Sequence, residues 1–309
     1  MNLFSSGSGG PLADRAGLET RATVLRALRD ELHRGGFLEV QTPARLPAPA
    51  LEPHIDAEPC GDAYLRTSPE LHMKRLLAAG HEKIYQIGPC FRRGEVGRLH
   101  HPEYTMLEWY RAGADYIGIL EDARGLLRAA ATACGVSRVR MGDAEADLTE
   151  PWRVLGVSEA YRKWAGWDPA AAWDADRFDL DWADCVEPRL RLLGVPVALT
   201  DYPAAAAALA RLKPGDPTRA ERWELVICGV ELANAYSELT DAGEQRRRFS
   251  DCARDRAARG RPVYPMDEAF LAALDAGMPA AGGCALGIDR LAMLLAGGDS
   301  LDSVLAFRA

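Results

Sequence analysis

CFRRGEVGRLHHPEYTMLEWYR, Cys90 to Arg111, decides how the rest of the chain is read. Its first part, through Glu103, is rich in glycine, arginine and histidine and predicts a loop. From Tyr104 to Arg111 the residues alternate as in a strand, which places Tyr104, Met106, Glu108 and Tyr110 on one face. Ionisable groups in such density on an apolar element single the block out.

Upstream, KIYQI (Lys83 to Ile87) predicts a strand. RTSPELHMKRLL before it predicts a helix from Pro69 to Ala79, opened by Ser68 as cap with Pro69 at its first position and ended by Gly80. Further back, Leu18, Val24, Leu25, Leu28 and Leu32 keep roughly helical spacing until Gly35-Gly36, and FLEVQTP (Phe37 to Pro43) follows as a strand. Downstream, a helix is expected from about Tyr116 to Ala133. The stretch 135–220, rich in alanine, proline and aspartate, reads as a helical insertion with weak patterning around Val157 to Trp164. WELVICGVELANAYSEL (Trp223 to Leu239) predicts two strands joined at Cys228-Gly229, making Glu224 and Glu231 diagonal neighbours on one sheet face. GGCALGIDRLAMLL then predicts a strand, a turn at Gly287 and a helix from Ile288. Strands paired mainly with antiparallel neighbours indicate an α+β fold, read as a single domain over 1–309.

The bulk composition agrees with a soluble globular protein: 309 residues, 48% hydrophobic and 27% charged. The longest apolar runs, Ala204 to Ala208 and Leu291 to Ala296, fall far short of the ~20 residues of a membrane span. The N-terminus, MNLFSSGSGGPLADRAG, lacks a secretory signal and reads as a short flexible lead-in, so a cytoplasmic location is the default expectation. Seven scattered cysteines show no zinc spacing. A formal charge of −8 argues against a protein that coats nucleic acid through its overall field.

Taken singly, each charged block has a bland reading. Glu70 could be a first-turn carboxylate on a helix dipole, Arg92 and Arg98 solvated loop arginines, Glu224 and Glu231 a solvent face, and Arg290 a helix-surface charge. His100 and His101 suit a hydrogen-bonded loop better than a metal site.

Jointly the blocks resemble a known constellation in the right order. FRRGEVGRLHHPEYTMLEWYR resembles motif 2 of class II aminoacyl-tRNA synthetases in its lysyl form, and GCALGIDRLAMLL resembles motif 3. The unit ending at Pro43 is similar to the dimer-forming motif 1, and TSPELHMKRLL and VELANAYSELTD match the lysyl branch. The resemblance spans about Leu18 to Phe307. Motif 1 begins within the first few tens of residues, leaving no room for an anticodon-reading OB-fold domain. The chain therefore looks like the elongation factor P (R)-β-lysine ligases, which activate a β-amino acid with ATP and attach it to a lysine of that factor.

That resemblance implies ATP and Mg²⁺ as cofactors, a lysine-type substrate, elongation factor P as acceptor, and a homodimer. It implies that Arg92 bridges the substrate carboxylate and the α-phosphate, that Arg290 meets the γ-phosphate side, and that Glu224 and Glu231 hold Mg²⁺. Arg93, Gly94 and Glu95 belong to the nucleotide loop. His101, Tyr104 and the backbone around Leu232 and Gly287 shape the adenine and ribose pocket. On the amino-acid side, Glu70 takes the backbone amine and Glu238 with Tyr110 the distal amine, supported by Glu108, with Ser68, Pro69, Asn234 and Ala285 alongside.

Three departures stand out. The motif 2 glutamate, Glu95, comes one position later than in the common FRxE pattern. Strict alternation from Glu231 puts Glu238 on the opposite face, so a bulge is expected near Asn234 to Ser237. Ala285 stands where lysyl-tRNA synthetases tend to have glycine, which favours β-lysine. The competing readings are activation of α-lysine or another diamino acid for a different acceptor, tRNA or a small molecule, and a non-catalytic amino-acid-binding paralogue.

Overall fold

The computed structural model describes residues 13–307, so the expected N-terminal lead-in lies, up to residue 12, outside them. Helix α1 (Arg15–Arg34) starts where the Asp14 carboxylate accepts the Gly17 amide at 2.7 Å, and it buries Val24, Leu28 and Leu32 at helical spacing. Short strands follow: β1 (Leu38–Glu39), β2 (Arg45–Leu46), β3 (Pro59–Cys60) and β4 (Ala63–Leu65). Helix α2 (Glu70–Ala78) precedes the long antiparallel pair β5 (Lys83–Phe91) and β6 (Glu103–Ala112), and α3 (Tyr116–Ala133) comes next. The strand expected over Phe37 to Pro43 pairs with β5 for only two residues. Beyond them Val40 donates to the Tyr85 carbonyl and Thr42 to the Gln86 side chain, both at 2.8 Å.

Residues 135–220 correct the reading of a helical insertion. They hold the hairpin of β7 (Arg138–Met141) and β8 (Ala144–Asp147), then β9 (Arg153–Gly156). Helices α4 (Val157–Trp164), α5 (Ala175–Asp181) and α6 (Glu187–Leu190) follow, with a π-helical turn at Trp182–Val186. Then come β10 (Val197–Pro203), β11 (Leu212–Lys213) and the start of β12 (Asp216–Ile227). Two of these strands, β9 and β10, belong to the main sheet. β10 is buried on both faces at almost every position, so it lacks the alternation that would betray a strand.

The chain ends with β13 (Val230–Ser237), α7 (Ala242–Ala258), α8 (Glu268–Asp275), β14 (Ala281–Gly287) and α9 (Ile288–Leu295). The principal sheet runs β1-β5-β6-β14-β13-β12-β10-β9, with β11 beside β12. It is antiparallel except at its two edges, where β1 pairs with β5 and β9 with β10 in parallel. This is the expected α+β class, a mainly antiparallel sheet flanked by helices.

Strand parity divides the molecule. Leu107 and Trp109 of β6 face a core shared with α1, α3 and α9, including Leu28, Leu126 and Met293. Tyr110 faces the other side, where Met73, Phe249, Phe270 and Leu274 pack from α2, α7 and α8. Between β12 and β13, Cys228 (φ 51°) and Gly229 (φ 78°) form the two-residue turn that left-handed backbone favours.

Register past that turn is not regular. Val226 faces Glu231, but Leu225 faces Ala233 and Glu224 faces Asn234, so Leu232 is one residue extra. The expected bulge is therefore real but lies before Asn234. It brings Glu231 onto the same face as Asn234, Tyr236 and Glu238.

Candidate active site

On that face β6, β13 and β14 form the floor of an open cleft of about 1100 Å³, walled by α2, the loop between β5 and β6, and the start of α9. Fifteen of the residues singled out in the sequence line it: Ser68, Glu70, Arg92, Glu95, His101, Tyr104, Glu108, Tyr110, Glu231, Leu232, Asn234, Glu238, Ala285, Gly287 and Arg290. Pro69 is buried outside the lining, and Arg93 and Gly94 are exposed loop residues outside it, so these three are not cleft residues. The loop turns at Gly94, with φ of 79°, and the turn leaves Arg93 outside while Arg92 and Glu95 reach the cleft.

One end is acidic. Pro69 rather than the expected Ser68 is the cap of α2, but the Ser68 hydroxyl accepts the Glu70 amide at 2.9 Å and donates to Glu108 at 2.5 Å. Tyr110 donates to the other Glu108 oxygen at 2.8 Å. Burial, reinforced by the neighbouring Glu70 carboxylate, pushes Glu108 up to about 8. Glu238 is 2% exposed and is pushed up to about 7, by burial first and against the pull of Lys74. Lys74 Nζ lies 2.5 Å from one Glu238 oxygen as a buried ion pair, and the other oxygen has no hydrogen-bond partner in the protein. A Cβ on Gly283 would stand 2.3 Å from the Tyr110 ring and 2.5 Å from Glu238, so this glycine is what leaves the two side chains room. Ala285 lies between Asn234 on β13 and Glu108 on β6 in the sheet register.

The other end is basic. Arg92 packs over the Tyr104 ring, 5.2 Å from its centroid, and lies 3.6 Å from Glu95. Its buried Nε has no partner. Tyr104 is fixed by donating to the Thr67 carbonyl at 2.7 Å. Arg290, at the start of α9, donates to the carbonyls of Leu99 at 3.1 Å and Glu231 at 2.8 Å and to His100 Nε2 at 2.6 Å. Burial and that guanidinium hold the His100 pKa down, keeping the imidazole neutral and able to accept. Asp289 next to it takes Arg21 of α1 at 2.6 Å and the Thr105 amide at 2.7 Å, locking motif 3 to β6.

The two carboxylates expected to bind metal differ in setting. Glu231 is on the cleft wall, while Glu224 lies behind it, accepting from Tyr202 at 2.6 Å and paired with Arg222. Desolvation and then the Glu224 charge raise the Glu231 pKa, a repulsion a divalent cation relieves, so the hard oxygen pair suits Mg²⁺. Among the described residues no group of three or more metal-binding side chains forms.

Several site residues escaped the sequence reading. Lys74 stood in a quoted motif, one helical turn after Glu70. Tyr236 shares a face with Asn234 and Glu238, and Asn234 donates to its hydroxyl at 2.8 Å. Glu52 enters the cleft from a proline-flanked loop with no periodic signal. Burial pushes it up to about 7, opposed by Arg92 and reinforced by Glu70. Its loop is held by the fully buried Arg256 of α7, which donates to the carbonyls of Glu52 at 2.7 Å and Ile55 at 2.9 Å and pairs with Asp56.

A charged cleft on an antiparallel sheet, with motif 2 and motif 3 arginines at one end and buried carboxylates at the other, is the arrangement of a class II synthetase. Residues 13–309 match the family of class II tRNA synthetases for D, K and N. The chain belongs to that family and is, like its relatives, a ligase. It is 40% identical to the elongation factor P--(R)-beta-lysine ligase of Vibrio cholerae serotype O1, over 96% of both chains. The corresponding ligase of Proteus mirabilis is 39% identical, again over 96% of each. The lysine--tRNA ligase of Moorella thermoacetica is 40% identical over 93% of this chain but only 64% of its own length. Among the described residues no helix is long and apolar enough to cross a membrane.

Proposed function

We propose that the chain activates (R)-β-lysine with ATP as an adenylate and transfers it to a lysine side chain of elongation factor P. The observation that carries this reading is the polarity of the cleft. A buried carboxylate with unused hydrogen-bonding capacity, Glu238, stands at one end beside Glu70 and Glu108, and Arg92 and Arg290 stand at the other. A molecule with a carboxylate at one end and amines at the other fits that field, since each desolvated charge finds an opposite partner.

In this reading Arg92 holds the substrate carboxylate against the α-phosphate, and Arg290 neutralises the far phosphates at the start of α9. Glu224 and Glu231 hold Mg²⁺, which supplies charge neutralisation on the phosphate oxygens. Tyr104, His101 and the backbone of Leu232 and Gly287 enclose the nucleoside, with Glu95 on the same loop. Glu70 takes the amine nearer the carboxylate, Glu238 and Tyr110 the distal one, and Ser68 and Asn234 fix the wall between them. In the second step the acceptor amine attacks the acyl carbon, the bond to AMP breaks, and the amine gives up a proton.

The preference for a β-amino acid rests on Ala285 and on the end-to-end match to the β-lysine ligases. The equal identity to a lysine--tRNA ligase favours a second reading, α-lysine activation for tRNA. We further propose a cytoplasmic homodimer formed through the β1 edge, where Leu38 is 54% exposed. Pyrophosphate exchange with purified protein and a panel of lysine isomers tests the activation step, and intact mass of elongation factor P tests the transfer. Lysine charging of tRNA, without a mass shift on the factor, would select the second reading. Light scattering of the 33.6 kDa chain tests the dimer.

A further inference from the structure

The amine end of the cleft contains a cation that the reaction as described does not use. Lys74 is 0% exposed at its side chain, with Nζ 2.5 Å from Glu70 and 2.5 Å from Glu238. Burying an ammonium costs several kcal/mol unless carboxylates offset it. Glu70 and Glu238 both line the cleft and Lys74 does not, so the two carboxylates stand between the lysine and any ligand. The lysine balances the charge of Glu238 at one oxygen and leaves the other without a partner.

We propose that Lys74 is a positioning residue whose fixed charge, applied from behind the cleft wall, ties Glu70 on α2 to Glu238 beyond β13 and keeps both turned toward the ligand's ammonium groups. This rests on the amino-acid-activating reading above. The other ionisable groups that act on Glu70 or Glu238 offer no substitute: Glu108 and Tyr110 from β6, Tyr236 from β13, Cys284 from β14 and Glu52 from the loop before β3 are carboxyl, phenol or thiol groups and supply no cation. Burial already holds Glu238 up to about 7 and Glu108 up to about 8. Without the lysine charge Glu238 rises further and carries a proton at neutral pH, as Glu108 already does, and a protonated carboxyl no longer pairs with an ammonium.

The test is the pH dependence of the amino-acid KM in pyrophosphate exchange, for wild type, Lys74→Met and Lys74→Arg, each checked for folding by thermal melting. In the wild type KM falls as pH rises through about 7, as Glu238 loses its proton. Lys74→Met raises KM at pH 7 by roughly tenfold or more, moves the KM midpoint up by about one pH unit, and leaves the ATP KM within about twofold. Lys74→Arg keeps the midpoint while its KM rises. A Lys74→Met midpoint equal to the wild type's overturns the proposal. So does a Lys74→Arg midpoint displaced by about a unit, and that variant decides the matter if Lys74→Met does not fold. Wild-type protein that shows no diamine-dependent exchange fails the activation reading itself, whereas an active wild type with unmoved midpoints fails Lys74 alone.

Discussion

In the proposed reading Glu238 carries most of the amine pocket, because its carboxylate is buried, close to a cation and still short of hydrogen bonds. Glu238→Gln keeps the shape, removes the charge and leaves Lys74 with Glu70 as its remaining partner. Breaking a buried pair of this kind costs about 3–5 kcal/mol, so at pH 8 the amino-acid KM in pyrophosphate exchange should rise more than a hundredfold with little change for ATP. Ala285 acts more gently. It lies between Asn234 and Glu108 in the sheet register, and in the proposed reading the carbon separating carboxylate and amine of a β-amino acid passes its methyl. One methyl in a pocket discriminates by about 1–3 kcal/mol, so Ala285→Gly should shift the ratio of α- to β-lysine exchange rates by ten- to roughly two-hundredfold toward α-lysine. An unchanged ratio would remove Ala285 as the selecting group.

At the level of elements, the β12–β13 hairpin carries Glu224 at one end of its reach and Glu238 at the other, joined by a turn with two left-handed residues. A Cβ on Gly229 would meet Glu187 at 2.4 Å, and the backbone there has φ of 78°. Gly229→Ala should cost about 1–3 kcal/mol, read as a melting temperature lower by several degrees, while the amino-acid KM stays near that of the wild type. The hairpin, β6 and the β14–α9 unit were legible because they alternate, or change period at a glycine, in plain sight. The Leu232 bulge was legible only as a necessity, since one residue too many leaves no mark in composition, and its place had to come from register. β9 and β10 were hidden for a different reason: the first is four residues long, and the second is buried on both sides and shows no period. Lys74 was in view but unread, because a lysine in a helix is ordinarily solvated, and only the fold shows two carboxylates closing over it.

For the whole molecule, the acidic pocket couples folding to pH. Glu52, Glu108 and Glu238 have folded pKa values of about 7, 8 and 7, raised chiefly by burial from 4.5. Between those limits the folded state holds protons that the unfolded chain has released, so stability falls as pH rises toward the folded values. His72 and His100, whose pKa values burial lowers from 6.5, act the other way, but their contribution is complete once pH exceeds 6.5. Ligand-free protein should therefore melt at progressively lower temperature from pH 6.5 to about 8, and a saturating diamino acid should flatten that slope by supplying the missing cations. A melting temperature that rises over this interval would contradict the protonated pocket. The loop that carries Glu52 adds a consequence in time. Its anchors, Arg256 and the Tyr264 hydroxyl bonded to the Ala57 amide, are respectively 204 residues beyond Glu52 and 207 beyond Ala57. On the ribosome the early strands can pair long before those anchors have left the exit tunnel, so the cleft wall closes only after nearly the whole catalytic sheet has been synthesised. A nascent chain stalled before Arg256 should leave residues 50–57 open to protease, and protection should appear once Arg256 and Tyr264 have emerged.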